Sequence, residues 1–386
     1  MKNNFDFCIA GGGVMGTFFA YHLLHLGYKV VLCERDTKAK EATVRNFGQI
    51  VPSGLSKEWR KLGRKSLEFY KSVQQETDIS IRAFGSLYVA SNEEEEILLE
   101  ELYQINLEEG YTSQLLNKES CLNKQPALNP NYVRAGLFYP EEITVEPHLM
   151  IHALQKYMIK KFSNFKLHYN TTIQQINEGS AKVELRTNTD ETIYCKHFIL
   201  CSGNEFQTLF PHLFEQSELV LTKIQMMQTK PVKNKSIKGS ILTGETIRRY
   251  EAFTECPSFE AIKKAAPKES FWKKYGIHIL LKQAKDGSLI LGDSHEYASV
   301  KERDKLDFNQ NMDINRFVIK ETQRAFDLPE IIIQKYWSGS YVQCKTSDVY
   351  INHLTDKIHV YNGIGGKGMT PSAGFTYQQT QKLWRQ

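Results

Sequence analysis

Short apolar runs alternate with longer mixed segments along the chain, and glycine, proline or a capping side chain marks most junctions. Phe5 to Ala10 is an apolar run of strand length, Gly11-Gly12-Gly13-Val14-Met15-Gly16 a tight turn, and Thr17 to Leu26 a helix closed by Gly27. Lys29 to Cys33 is a second strand and ends in Glu34. Ser56 reads as the N-cap of a helix to about Thr77 that turns Trp59, Leu62, Tyr70 and Val73 to one face. Phe84 to Ala90 is a strand, and Asn92 caps a helix whose first turn is Glu93-Glu94-Glu95-Glu96. Gly136 to Pro140 is a strand and turn, and from Thr144-Val145-Glu146-Pro147 a helix runs to about Phe162, with Pro147 suited to its first turn.

Strands follow at Lys166 to Tyr169, Thr172 to Ile176, Lys182 to Arg186 and Tyr194 to Leu200, the last ending in Cys201-Ser202-Gly203-Asn204. Leu219 to Thr229, Ile277 to Gln283 and Ser288 to Leu291 read as strands of an antiparallel sheet. Thr243 to Tyr275 lies between them as a polar, irregular stretch, expected to be a mobile crossover or lid. Ile358 to Tyr361 is a strand that enters a second glycine-rich turn, Asn362 to Thr370, before a helix toward Gln381.

The first unit places G-x-G-x-x-G between a strand and a helix, which is the context that gives the motif meaning. Gly11 permits the turn, Gly13 lets N–H groups approach a pyrophosphate at the positive end of the helix, and Gly16 lets helix and strand pack closely. Glu34 is placed to accept hydrogen bonds from a ribose diol and would repel a 2′-phosphate, so the pattern predicts NAD or FAD and not NADP. The return at Tyr194 to Leu200 predicts that the nucleotide fold resumes after an insertion, with Ser202-Gly203 bringing backbone close to the dinucleotide.

The 386 residues carry a formal net charge of +5 with both signs interspersed, so no single-signed field points to nucleic acid. The seven cysteines are scattered without a C-x-x-C pair and are expected to be free, mostly buried thiols. Nothing resembles a signal peptide or a transmembrane run, so a cytoplasmic protein is expected, and the sequon at Asn170 is taken as chance. The four glutamates after Asn92 favour the helix dipole and are expected to form a solvated helix end. No Ser-His-Asp pattern and no metal-ligand spacing stands out.

Together, the Gly11 to Glu34 unit, Arg45-Asn46-Phe47-Gly48-Gln49-Ile50, Thr144-Val145-Glu146-Pro147, Leu200-Cys201-Ser202-Gly203, Thr346-Ser347-Asp348 and Gly363 to Thr370 resemble the D-amino-acid oxidase superfamily of FAD-dependent amine oxidoreductases. That group includes glycine oxidase, monomeric sarcosine oxidase and D-amino-acid dehydrogenase. The resemblance implies an α/β chain (α+β overall). In it, a Rossmann-like FAD domain of residues 1–80, 145–215 and 330–386 interleaves with a mostly antiparallel substrate domain of residues 81–144 and 216–329. It implies that Gly11, Gly13, Gly16, Glu34 and Arg35 hold the ADP half, with Ile173 and Gly203 near the adenosine and Gly12, Val14, Met15 and Ser202 also among the cofactor-binding residues. Arg45, Asn46, Gly48, Gln49 and Ile50 would run beside the flavin, with Arg45, Asn46 and Gln49 also candidates for the chemistry. The turn Gly363, Gly365, Gly366, Lys367, Gly368, Met369 and Thr370 would aim N–H groups at the flavin edge that gains negative charge on reduction, and Lys367 is either an added charge there or a solvated turn residue.

Two positions depart from the pattern. The offset that carries the covalent flavin cysteine in sarcosine oxidases holds Tyr341, so non-covalent FAD is expected, with Cys344 a packed thiol. The offset of the glycine oxidase arginine that pairs with the substrate carboxylate holds Gln343. Arg248, Arg249 and Tyr250 are candidates to replace that anchor, since a guanidinium fork suits a carboxylate or phosphonate, and His295 is a candidate at a strand end, weighed against a surface turn histidine. The Arg-Asn-Phe-Gly-Gln and Gly-Asp-Ser-His segments also resemble a subgroup linked to aminophosphonate breakdown.

The implied activity is oxidation of a primary or secondary amine (amino acid, N-methyl amine or aminophosphonate) by hydride transfer to flavin N5, giving an imine that water hydrolyses. Oxygen or a quinone would reoxidise the flavin. Two other readings stand beside it, an NAD-dependent dehydrogenase and a non-catalytic flavin-binding or redox-sensing protein.

Overall fold

The computed structural model describes residues 4–385 except 234, 268 and 307. Its first sheet has eight strands. The strand Asn4–Ala10 lies at the parallel centre, between Val30–Cys33 on one side and Thr192–Leu200 on the other. Phe165–His168 extends the sheet beyond Val30–Cys33, and Ile358–Asn362 with Tyr350–His353 extends it past Thr192–Leu200. Side chains alternate as the pleat requires. Phe7, Ile9, Val30 and Leu32 enter the core beneath the helices, while Cys8, Val31, Cys33 and Leu200 enter the core on the opposite face.

The helices Val14–His25, Lys57–Glu76 and Ser372–Trp384 cover the first of those faces, and the contact among them is close. Lys57–Glu76 lies between Ser56 and Thr77 as the pattern predicts and buries Trp59, Tyr70 and Val73 of the expected face, with Leu62 half-buried against the core and Gly63, Ser66 and Leu67 buried beside them. Its Ser66 Oγ accepts from the Gly374 N–H at 2.8 Å, and its Tyr70 hydroxyl donates to the Met369 carbonyl at 3.0 Å. These bonds fix where the second glycine-rich turn meets the core.

The second sheet has nine strands and is mostly antiparallel. Leu219–Thr229 pairs with Leu289–Gly292, with Glu296–Ser299 and, over almost its whole length, with Ile333–Cys344. The strand Ile333–Cys344, which lies beyond residue 330, therefore pairs within this sheet. Its pattern of exposed Lys335 and Tyr336 with half-buried neighbours gave no clear period. The stretch Thr243 to Tyr275, expected to be irregular, is a chain of short helices at Gly244–Ile247, Glu251–Glu255, Phe259–Ala265 and Phe271–Lys274. Ile247, Ala252, Phe253 and Phe259 are buried in the core against the helix Glu93–Glu108, which helices of four to seven residues do not announce as a periodicity.

All seven cysteines are free, and five of them are buried. Among the described residues no helix is long and apolar enough to cross a membrane. Gly374 tests the helix packing directly, because a Cβ there would lie 2.1 Å from the Leu62 carbonyl oxygen. Gly374→Ala is expected to cost about 1–3 kcal/mol of stability, read as a lower denaturation midpoint, and an unchanged midpoint would contradict the packing described.

Candidate functional site

The first glycine turn is held by sterics at two points. Gly11 has φ of 110°, and a methyl there would meet the Cys201 carbonyl oxygen at 2.2 Å. A methyl on Gly16 would lie 2.0 Å from the Gly11 carbonyl oxygen, so the helix rests on the turn itself. Glu34 is oriented by two N–H groups, from Gly12 at 2.8 Å and from Asp36 at 3.0 Å. The Val14 N–H donates to Thr43 Oγ1 at 2.9 Å, and Gln155 Nε2 donates to the Gly12 carbonyl at 2.8 Å.

Three cavities run on from this turn and share walls. The first, of about 160 Å3, is lined by Gly11, Gly13, Glu34, Arg35, Ile173, Ser202 and Gly203. The next, of about 130 Å3, takes in Val14, Met15, Gly16, Thr43 and the Gly363 to Gly366 segment, sharing Gly13, Cys201 and Gly203 with the first. The third, of about 530 Å3, lies between the sheets and shares Asn46, Tyr341 and Gly363 with the second. A cleft that begins at the Glu34 carboxylate, crosses a glycine cradle at a helix N-terminus and ends in a wide chamber fits an extended dinucleotide such as FAD. Gly12 stands behind this wall, binding Glu34.

The segment Ala42 to Ile50 crosses the cleft as one helical turn and a short strand. Asn46 closes it, donating to the Ala42 and Thr43 carbonyls and accepting from the Gly48 N–H at 2.8 Å. Gly48, with φ of 78°, allows the Val145 backbone to approach. The buried Lys282 donates to the Val145 carbonyl and lies 5.5 Å over the Phe47 ring, and burial pulls its pKa down to about 8. Gln49 donates to the Tyr250 hydroxyl at 2.6 Å and accepts from Ser240 Oγ at 2.9 Å, which fixes both at the chamber wall.

Two expectations for this segment change. Arg45 turns outward, its Nε donating to the Lys40 carbonyl at 2.8 Å and its Nη1 to the Ser338 carbonyl at 3.2 Å. Ile50 is fully buried in the helix-side core and lines none of the three cavities.

The second glycine turn lines the chamber through Gly363, Gly365, Gly366, Lys367, Met369 and Thr370, with Gly368 behind the narrower cavity. Several of its N–H groups are spent within the turn, Gly363 on Asn362 Oδ1, Gly368 on the Gly365 carbonyl and Thr370 on the Lys367 carbonyl. Lys367 offers no spare charge. Glu251 accepts from its Nζ at 2.9 Å, Asp348 accepts beside it, and the Trp59 ring lies 4.8 Å away.

Arg249, Tyr250, His295 and Gln343 all line the chamber, so the structure gathers these four expected residues. Arg248 points the other way, pairing through Nη2 with Glu94 at 2.8 Å and through Nε with the buried Glu95 at 3.1 Å. The acidic run is therefore only partly a solvated helix end. Glu95 accepts from the Ser91 N–H at 2.8 Å and anchors Arg248, a tertiary contact invisible to local sequence.

Arg249 donates to the Tyr297 hydroxyl at 3.0 Å, and among the described residues no carboxylate pairs with it. His295 is 6% exposed, a buried chamber residue and not a surface turn histidine. Burial, aided by Arg249 and His278, holds its pKa down at about 3 against the pull of Asp293. Burial alone would raise Asp293, yet the close contact with His278 and nearby positive charge, the Arg249 guanidinium included, hold its pKa down at about 2, and His278 Nε2 stands 2.6 Å from Asp293 Oδ1.

Two chamber residues have no role in the sequence reading, His278 within the apolar run Ile277 to Gln283 and Asp293 in the Gly-Asp-Ser-His segment, while Tyr341, noted only as a missing flavin cysteine, lines all three cavities. A lone polar residue in an apolar strand was the available signal for His278.

A family model described as "FAD dependent oxidoreductase" (DAO) matches residues 6–376. One of the curated relatives, an opine oxidase component from Rhizobium meliloti, is 22% identical over 358 residues, 89% of this chain and 83% of that protein. Other curated relatives match about half of this chain and between 22% and 54% of their own length. Glycine oxidase from Geobacillus kaustophilus superposes with a TM-score of 0.77 at 16% identity, over 99% of this chain and 94% of that one. L-α-glycerophosphate oxidase from Mycoplasma pneumoniae, solved with FAD bound, superposes with a TM-score of 0.77 at 20% identity over 99% and 95%.

The glycine cradle supplies a direct test. Gly16→Ala forces helix and turn apart at their closest contact, so the purified variant is expected to be colourless and to take up added FAD at least about 100-fold more weakly. Retention of a normal flavin spectrum would contradict the described packing.

Proposed function

Because this chain belongs to the FAD dependent oxidoreductase family, with FAD as its cofactor, we propose that it oxidises a small zwitterionic amine, an amino acid, N-methyl amino acid or aminophosphonate, in the chamber between the sheets. The observation that supports this is the charge of the chamber wall. Arg249 donates to the Tyr297 hydroxyl and forms no direct salt bridge among the described residues, and the carboxylate of Asp293, within reach of its charge, lines the same space. A ligand with an anionic group for the first and an amine for the second matches that pair of charges. A polyol phosphate, the substrate named for the glycerophosphate oxidase, would satisfy Arg249 and leave Asp293 facing a neutral hydroxyl.

Gly11, Gly13, Gly16, Glu34, Arg35, Ile173, Ser202 and Gly203 would hold the ADP half of FAD, and Asn46, Gly48, Gly363, Gly365 and Gly366 the remainder. Tyr341 stands where a thioether-forming cysteine would be needed, so the cofactor is held without a covalent bond there. Bound FAD would supply the acceptor for one hydride, and so for the two electrons it carries, from the amine-bearing carbon.

The chain's own residues bind and orient. The Arg249 guanidinium holds the anionic group in the fork geometry that a carboxylate or phosphonate fits. Gln49 and Tyr250, locked to each other and to Ser240, fix the wall against which the carbon is set. Asp293 Oδ2 accepts a hydrogen bond from the amine nitrogen, while Oδ1 stays with His278. Arg248 and Lys367, both paired with carboxylates, take no part in anion recognition.

The two adjacent arginines give the test. Arg249→Met is expected to weaken binding of an anionic amine by roughly 10- to 100-fold, the worth of a lost charged hydrogen bond, read as the concentration that half-saturates anaerobic flavin reduction. Arg248→Met is expected to change it less than about twofold. Equal effects of the two substitutions, or no effect of the first, would overturn this assignment of the anion site.

A further inference from the structure

His278, Asp293 and His295 make a grouping that the proposed reaction uses only in part. Their donor atoms lie within 4.8 Å of one another, and both imidazoles are buried. The backbone brings them together: Leu280 opposes Gly292 in the antiparallel pair, and just beyond it the Asp293 N–H donates to the His278 carbonyl at 2.9 Å. His295 follows two residues on, its ring nearly parallel to that of His278 with 5.4 Å between centroids.

We propose that these three side chains form a binding site for a divalent transition-metal ion of the Zn2+ class, and that its occupancy closes the chamber to the substrate. The hydrogen bonds behind the rings select the ligating atoms. His295 Nδ1 lies 2.9 Å from the Gly276 carbonyl, which can only accept, so Nδ1 carries the proton and Nε2 presents its lone pair. His278 Nδ1 rests 3.4 Å from Thr246 Oγ1, and its Nε2 is the atom beside Asp293. A carbonyl or hydroxyl behind each imidazole is the outer-shell support that metal-bound histidines have.

Two nitrogens and a carboxylate leave a further coordination position, and the chamber lies in front of it. Ligand atoms around a tetrahedral ion sit about 3.3 Å apart, which follows from bonds of about 2.0–2.2 Å. The His278–Asp293 approach of 2.6 Å must open, and the widest separation must close, by side-chain movements of order 1 Å. Arg249 lines the same chamber and opposes any cation there. Its removal therefore tightens the metal site while it weakens anion binding, a pairing of effects that adventitious metal on surface histidines would not show.

Only the blocking of substrate rests on the proposed oxidation; metal binding is measured without it. Untagged, FAD-loaded protein freed of metal by chelation is titrated with Zn2+ in a calorimeter, and with Co2+ while its visible absorption is followed. One saturable site per chain is expected, with intense low-coordinate Co2+ bands. His295→Gln and Asp293→Asn are expected to weaken it at least about 100-fold, and Arg249→Met to tighten it at least about twofold. Zn2+ is expected to raise the apparent KM for the amine without changing kcat. No saturable site on the intact protein, weak octahedral Co2+ bands, or binding unaltered by either ligand substitution would overturn the proposal. Clean Zn2+ binding with no amine turnover would instead leave the metal site standing and count against the oxidation.

Discussion

One long antiparallel pair holds the two halves of the molecule in register. Leu219–Thr229 and Ile333–Cys344 run beside each other from Leu219 opposite Cys344 to Thr229 opposite Ile333. The second strand then delivers the chain toward the first sheet. On the way it clamps the segment that crosses the cofactor cleft: Trp337 Nε1 donates to the Arg45 carbonyl at 2.9 Å, Ser338 accepts from Arg45, and Gly339 leaves room for the Arg45 side chain. Its end sets Tyr341 against Gly366 and bridges Gln343 to Ile364. A one-residue slip of this pair would turn Tyr341 off the cleft and move both glycine-rich walls. Arg45 thus serves the site by bracing it, although its side chain never enters.

The chamber is defined as much by charges that are cancelled as by charges that remain. Arg248 and Lys367 are neutralised by Glu94, Glu95, Glu251 and Asp348, all on elements of the surrounding walls. Arg249, His278, Asp293 and His295 face the space beside the Lys367, Glu251 and Asp348 group, in a setting where burial keeps His295 neutral and the contact with His278 together with the Arg249 charge helps keep Asp293 ionised. Low-dielectric surroundings strengthen each of these remaining interactions, and a ligand of matching charge gains most from them.

The nucleotide half of this arrangement is legible in the chain because its constraints are local. A glycine at a positive φ, an acid at the end of the second strand, a serine or asparagine before a helix and a proline in its first turn act within a few residues of themselves. Ser56, Asn92 and Pro147 open their helices where the pattern places them. The chamber is less legible because its geometry is set by tertiary contacts. Of two adjacent arginines, Arg248 is held by Glu94 and the buried Glu95 while Arg249 reaches Tyr297 and the chamber, a division set by distant residues. His278 and Asp293 come together through strand register, and the short helices between Thr243 and Tyr275 take their form from Phe253 and Phe259 entering a core built by distant residues.

The central claim is that a flavin in this cleft takes electrons from an amine that also bears an anion. The most direct measurement is the visible absorbance of FAD-loaded protein mixed, without oxygen, with amino acids, N-methyl amino acids, 2-aminoethylphosphonate and glycerol 3-phosphate. The flavin bands are expected to bleach with an anionic amine and to persist with glycerol 3-phosphate. Bleaching by glycerol 3-phosphate and by none of the amines would contradict the claim.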